Sequence, residues 1–355
     1  MSLTPWVPSE CSHASAPLGY AQPVPTLSPV SPDAPVSVIM AVLNEQAHLE
    51  AAVASVLDNG FSPGVNLIIA VGPSSDETLQ MADDLASRHS NVQVVANPTG
   101  ATPAGLNLAL AVCTDDVIVR IDGHTVLPRG YISLAVQALA QTGAGNVGGR
   151  MVPGADAPLG HAIAVAMGSR LGLGSAGHRV GGSEGATESV FLGSFRRAAL
   201  DAVGGYDEHF LRAQDWELNF RLREAGFEVY YVPLMQVPYH PRSTWRGLAR
   251  QFFHSGAWRR EVVRTHPQTA SARYLAPPVV VAGIVLGTVI GAAGLATGPS
   301  WLALAFAAPI AYLAGVLMAA LALWSRAGAR SGAVMPGVLM TMHLAWGLGF
   351  IRGVR

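Results

Sequence analysis

From Pro35 onward the chain alternates between short runs of β-branched and aliphatic residues and longer stretches whose apolar positions recur at helical spacing. The runs Val36–Leu43, Asn66–Val71, Val92–Ala96 and Val117–Ile121 read as strands. Helical patterns follow them, ending near Asn59 and His89, then covering Pro103–Val112 and Arg129–Gln141. Such alternation predicts a parallel sheet with crossover helices. Ligands of these sheets bind beyond the carboxyl ends of the strands. The segments to inspect are therefore Asn44–Glu45, Gly72–Asp76 and Asp122–His124, and all three are polar.

Farther along, Gly145–Val152 reads as a strand and Pro153–Glu188 as a Gly-rich mobile loop. Phe191–Val203 and Asp215–Ala225 read as helices, the second stopped by Gly226, and Phe227–Val232 as a closing strand. Three apolar stretches come last: Val279–Ala296, Trp301–Trp324 and Val334–Ile351. The first two approach the roughly 20 residues that span a bilayer, with Trp301 and Trp324 placed as interfacial anchors. The third is short and carries His343, Gly347 and Gly349, so spanning, re-entrant and interfacial placements stay open. The expected organisation is a Pro/Ser-rich disordered tail over residues 1–33, a catalytic domain over 34–240, an Arg-rich amphipathic segment over 241–276 and a membrane domain over 277–355.

Composition agrees with a membrane-bound chain. Half of the residues are hydrophobic, 13% are charged and the mean hydropathy is +0.34, too apolar for a protein soluble throughout. All 22 basic residues are arginine, seven of them falling between Arg242 and Arg273, and the net charge is -1, which argues against a nucleic-acid partner. Cys11 and Cys113 form neither a disulfide framework nor a zinc pattern, so a reducing compartment is expected. The N-terminal tail has no apolar core long enough for a signal peptide, and arginines flank the apolar stretches before Pro277 and at Arg326 and Arg330. Together these predict a multi-pass protein of the cytoplasmic membrane with its catalytic domain on the cytoplasmic side.

Each chemically suggestive residue has a plainer alternative. Asn44 and Glu45 suit a nucleotide contact, and equally the start of a helix. Asp122 and His124, two apart at a strand end, could share a divalent cation that neutralises a departing diphosphate; an Asx-turn explains Asp-Gly as well. Asp215 reads as a helix cap with Leu218 and Leu222 turned inward, or as a general base. His240 could be a further metal ligand or a solvent-facing residue. The run Arg250 to Arg259, with Gln251 and Trp258, suits a diphosphate grip or an amphipathic helix on a membrane surface.

Taken together, the motifs resemble those of the family 2 glycosyltransferases, in particular a succinoglycan-biosynthesis subgroup. They run from Val36-Ser-Val-Ile-Met-Ala-Val-Leu-Asn-Glu45 through Ile121-Asp-Gly-His124, Gly148-Gly-Arg150, Gly193-Ser-Phe-Arg-Arg197, Val203-Gly-Gly-Tyr-Asp-Glu208 and Gln214-Asp-Trp-Glu-Leu-Asn-Phe-Arg221 to Arg250-Gln251 and Trp258-Arg259. The resemblance implies an α/β fold of the GT-A type, a Rossmann-like mixed sheet flanked by helices, followed by C-terminal transmembrane helices. It implies an inverting sugar transfer from a nucleotide-sugar donor to a lipid-linked or glycan acceptor at a membrane, assisted by Mg²⁺ or Mn²⁺. Asp215 would then be the catalytic base, and Asn44, Glu45, Asp76 and Asp122 would contact the donor. Asp122, His124 and His240 would hold the metal, and Gly193, Arg196, Gln214 and Trp216 would lie by the acceptor. Arg250, Gln251, Trp258 and Arg259 only partly match the Q-x-x-R-W element of processive relatives. Two departures are plain: Val71 stands where the family has an acid, and Gln214 replaces a Glu. They leave a second class open, a nucleotide-sugar-binding membrane scaffold without turnover.

Overall fold

A computed structural model describes residues 27–155, 157–173 and 181–354. The expected disordered tail therefore lies, up to residue 26, outside the described residues. The chain divides into two compact units, one of Met1–Arg150 and Gly182–Val237, the other of Met151–Gly181 and Pro238–Arg355.

The strands are β1 (Val36–Val42), β2 (Val65–Val71), β3 (Val92–Ala96), β4 (Val117–Asp122), β5 (Asn146–Pro153), β6 (Gly185–Ala186), β7 (Phe191–Arg196) and β8 (Val229–Tyr239). They form one sheet in the order β3-β2-β1-β4-β7-β5-β8-β6. The first four are parallel, and β7 reverses direction against both β4 and β5. The sheet is thus mixed, a parallel half joined to an antiparallel one. Strand β1 is almost wholly buried, as a strand covered on both faces must be. Val36, Val38, Met40 and Val42 enter one core cluster and Ile39 the other, following the two-residue period of a strand.

Helices α1 (Leu49–Leu57), α2 (Thr78–Arg88) and α4 (Tyr131–Thr142) supply the first cluster. Helices α3 (Thr102–Val112), α7 (Arg197–Val203) and α8 (Gln214–Glu224) supply the second. Because β1 leads by α1 to β2 on one side while β4 lies on the other, chain order reverses at the β1/β4 pair. Register brings Ala41 opposite Asp122 there, so the chain segments after β1 and β4 emerge side by side.

Two sequence expectations are corrected. Phe191–Val203 is not one helix: Phe191–Arg196 is strand β7 and only Arg197–Val203 is helical. The slot between β4 and β5 overrides local preference, burying Leu192, Gly193, Ser194 and Phe195. A Cβ on Gly193 would lie 2.4 Å from the Phe195 ring and 2.8 Å from Asn146 Oδ1. The expected loop Pro153–Glu188 contains helices α5 (Pro158–Met167) and α6 (Arg170–Leu173), and β6, although residues 174–180 lie outside the described residues. Pro158 starts α5 where a missing N–H costs nothing, and Ala162, Ile163, Ala166 and Met167 are buried. Glycines on either side hide this pattern in the sequence.

The second unit holds α5, α6 and three longer helices, α9 (Trp245–Thr265), α10 (Ala272–Thr297) and α11 (Ala307–Arg352). Helix α11 is two helices joined at Gly328, whose φ of 71° breaks the regular spiral. The third apolar stretch of the sequence is its second half. Two segments, Ala272–Thr297 and Ser300–Arg352, are long and apolar enough to cross a membrane. Their outward faces expose Val279, Leu286, Leu295, Leu304, Ile310 and Leu321, which suits contact with lipid.

The Arg-rich segment is the ordered helix α9, crossing α11 at two glycines. A Cβ on Gly256 would fall 2.0 Å from the Trp346 carbonyl oxygen, and one on Gly349 1.9 Å from that of Phe253. Gly349→Val should therefore force the helices apart and cost about 1–3 kcal/mol, as overpacking does. Thermal unfolding of the detergent-solubilised chain measures this, and an unchanged midpoint would show a crossing looser than described.

Candidate active site

The site forms where β1, β2 and β4 end. The loop after β1 is knitted to the loop after β2. Asn44 N–H donates to Ser74 Oγ at 3.1 Å, while Asn44 Oδ1 accepts from Ser75 N–H at 2.7 Å. Glu45 N–H donates to Thr78 Oγ1 at 2.8 Å and Gln46 N–H to Asp76 Oδ2 at 3.2 Å. Thr78 Oγ1 in turn donates to Asp76 at 2.5 Å, which helps hold that carboxyl below its ordinary value. Neither Asn44 nor Glu45 caps α1, whose cap position is His48. Asn44 has a φ of 55°, one of three non-glycine residues with positive φ among the described residues; the others are Leu192, beside Gly193, and Ala213, just before α8. Such conformations cost on the order of 1–3 kcal/mol each and gather where function needs them.

After β4 the backbone passes close to β1. A Cβ on Gly123 would meet Val42 Cγ1 at 2.6 Å and Glu45 Cγ at 3.1 Å, so the position accepts nothing larger than glycine without a shift. This approach brings His124 Nδ1 within 2.9 Å of Glu45 Oε1. Val71, in the place of the family's acid, is a core residue at the end of β2.

Asp215 is the second residue of α8, and Ala213 occupies the cap, so the reading of Asp215 as a cap is corrected. Its carboxylate instead reaches the sheet. Arg120, buried on β4, donates from Nη1 to Asp215 Oδ2 at 3.0 Å and from Nη2 to Asp122 Oδ1 at 2.6 Å. Sequence reasoning missed Arg120; the available signal was a charged residue inside an otherwise apolar strand. Burial alone would pull its guanidinium down, and the carboxylates of Asp122 and Asp215 more than offset this, holding it above its ordinary value. Burial pushes the Asp215 carboxyl up, Arg120 pulls it back and Asp122 raises it, with a net rise. The Asp215 side chain nevertheless keeps 38% of its surface exposed, enough to meet a second molecule.

Tyr206 completes the group. Its phenol is raised first by burial and then by Asp215, and its hydroxyl is a buried atom without a hydrogen-bond partner. The preceding glycines, Gly204 and Gly205, turn with φ of 75° and 71°. Asn107 exchanges hydrogen bonds with the Tyr206 backbone on both sides. Gln214 and Trp216 flank Asp215 on α8, half-buried, with the Trp216 ring stacked on Phe220 at 5.9 Å.

Arg196 is buried, and its guanidinium donates to the carbonyls of Ala144, Ser28 and Leu139 at 3.0, 2.6 and 2.7 Å. Those bonds give Arg196 a structural task. His240 follows β8 in the second unit and is exposed. On α9, in the same unit, Gln251 donates to the Tyr239 hydroxyl at 3.2 Å and the buried Arg259 stacks 3.7 Å over Tyr274, whereas Arg250 is exposed and Trp258 half-buried.

Among the described residues no cluster of three or more His, Cys, Asp and Glu has the arrangement of a metal cage. The donor chemistry present, the Asp122 carboxylate with a half-exposed His124 imidazole, fits a cation that takes its remaining ligands from a substrate diphosphate.

A mixed sheet of this order, with Asp122 at the end of β4, is the architecture of the GT-A fold class. Comparison with known proteins agrees. The profile described as glycosyltransferase-like family 2 matches residues 32–255. The chain belongs to this family and is a glycosyltransferase. It is 30% identical over 319 residues to the succinoglycan biosynthesis protein ExoA of Rhizobium meliloti (strain 1021), covering 89% of this chain and 93% of that protein. It is 27% identical over 283 residues to the pre-mycofactocin glycosyltransferase of Mycobacterium tuberculosis, covering 78% of this chain and 56% of that one. The solved structure of the mannosyltransferase PcManGT from Pyrobaculum calidifontis, in complex with GDP-Man and Mn2+, matches with a TM-score of 0.56 at 19% identity, covering 90% of this chain and 88% of that one. At that identity the likeness is one of fold.

Arg196→Met should take a donor from the buried carbonyls of Ala144 and Leu139 and from that of Ser28, destabilising the protein by roughly 2–4 kcal/mol, while the donor KM of the folded fraction stays unchanged. Unfolding midpoints and donor titration test both halves; a stable variant with weakened acceptor use would mark Arg196 as an acceptor contact instead.

Proposed function

We propose that this glycosyltransferase is a membrane-anchored, inverting enzyme that moves a sugar from a nucleotide-sugar donor to a lipid-linked or glycan acceptor, with Asp215 as general base. The observation that carries this reading is the shared guanidinium: Arg120 ties Asp215 to Asp122. One partly open carboxylate is thereby held beside the end of β4, where a bound donor is expected. An acceptor hydroxyl gives its proton to Asp215 and attacks the anomeric carbon. The bond from that carbon to the diphosphate oxygen breaks with inversion, and the nucleoside diphosphate leaves. The raised Asp215 carboxyl is a stronger base than an ordinary aspartate.

Donor contacts are assigned to the knitted loops at Asn44, Glu45 and Asp76 and to Asp122, and acceptor contacts to Gly193, Gln214 and Trp216. Asp122 and His124 would hold a divalent cation, Mg²⁺ or Mn²⁺, with His240 a further candidate; bound there, the cation supplies positive charge to the diphosphate. Arg250 remains a candidate for phosphate contact. The apolar helices α10 and α11 would anchor the chain in the cytoplasmic membrane as a multi-pass protein with the catalytic unit on the cytoplasmic side, consistent with the arginines at 326 and 330. The likeness to a succinoglycan biosynthesis protein supports a role in polysaccharide biosynthesis.

Asp215→Asn should lower turnover by about 10²–10⁴-fold while donor binding persists. The acidic limb of the wild-type pH profile should lie above the ordinary aspartate value of about 4, because the raised base is silenced by protonation as pH falls through its pKa. Near-normal turnover of the variant would remove Asp215 as the base. With purified protein in detergent and a lipid extract as acceptor, a panel of UDP-, GDP- and dTDP-sugars should show diphosphate release from one donor. EDTA should stop that release and added Mn²⁺ or Mg²⁺ restore it; release indifferent to EDTA would exclude the cation.

A further inference from the structure

A charged side chain inside a central strand is costly unless its environment answers it. Arg120 stands between Val119 and Ile121 on β4, 4% exposed, and its two terminal nitrogens bond different carboxylates. Those carboxylates belong to different elements, Asp122 to the same strand and Asp215 to α8. Helix α8 is also fixed from its far side. Arg221 pairs with the buried Glu217 at 2.7 and 2.8 Å, and donates to the carbonyls of Val203 and Gly205 at 2.6 and 2.8 Å. The helix is therefore held to the turn that carries Tyr206, and Arg120 joins its first turn to the strand that carries Asp122.

We propose that Arg120 is a positioning residue for the transfer step, forking between Asp122 and Asp215 so that the base stays in register with the donor held at the end of β4. The inference rests on the assignment of Asp215 and Asp122 made above. A planar fork with two terminal nitrogens suits two acceptors in two directions, and an ammonium cannot copy it. The Nε of Arg120 and the Tyr206 hydroxyl are both buried without a hydrogen-bond partner, and Tyr206 interacts electrostatically with the Arg120 guanidinium.

The test uses the full-length chain in detergent with the donor found active, comparing Arg120→Met, Arg120→Lys, Asp215→Asn and the double variant Arg120→Met/Asp215→Asn. In Arg120→Met, kcat should fall by roughly 10²-fold, the cost of a misplaced reacting group. Its donor KM should stay within about threefold of wild type. Arg120→Lys should recover part of that loss, and the double variant should be no slower than Asp215→Asn, since two residues that act as one unit are not additive. Wild-type kcat in Arg120→Met overturns the proposal, as does a loss of donor binding and unfolding midpoint in step with kcat, which marks a merely structural pair. Should the Met variant not fold, Arg120→Lys decides: lower kcat at unchanged donor KM supports the proposal, and wild-type kcat overturns it. Full turnover in Asp215→Asn sinks the base assignment and this inference with it, an outcome distinct from a failure of Arg120 alone.

Discussion

The buried guanidinium of Arg120 is the interaction around which the first unit is arranged. An unanswered charge at the centre of a sheet would cost several kcal/mol, so β4 can carry it only if carboxylates are brought to it. Asp122 comes from the same strand, two residues on. Asp215 must come from nearly a hundred residues later, which requires α8 to begin over the end of β4. The buried leucines of α8, Leu218 and Leu222, place the helix in the core that also holds Ile118, Phe195 and Tyr206. Apolar packing and the ion triad thus specify the same position, the kind of agreement between levels that marks a well-determined structure.

Close backbone approach is the second constraint. Gly123 lets the β4 loop touch β1, Gly193 admits the Phe195 ring and Asn146, and Gly204 and Gly205 make the turn that presents Tyr206. Left-handed backbone occurs at Asn44, after β1, and at Ala213, just before α8. Strain and tight contact gather at these strand ends and also inside the antiparallel half of the sheet, where Leu192 on β7 has a φ of 47° and the β5/β7 register shifts between Val147 and Gly149. A mobile site could not keep two like-charged carboxylates apart and aimed; one built from short turns and an arginine fork can.

How much of this was legible beforehand follows from the range of each signal. The strands of the parallel half, the helices between them and the polar clusters at their ends could be read because each depends on a local pattern of apolar residues. Strand β7 could not, since its partners β4 and β5 decide its conformation and its own residues alternate weakly. Helix α5 was hidden by glycines around it. Arg196 looked like a ligand residue because its motif resembles one in the family, yet it bonds three carbonyls of its own unit. Arg120 went unread because one arginine in a strand has no pattern to repeat.

The sequence by itself determined the fold class, the family and the apolar stretches near the C-terminus, because periodicity, motif order and hydropathy are properties of neighbouring residues. Only the tertiary structure decided that Asp215 does not cap its helix, that Arg120 binds it to Asp122, and that Asn44 and Asp76 knit two loops together. Those facts join residues far apart in the chain, and hydrogen bonds across such separations are specified by packing, which no local pattern records.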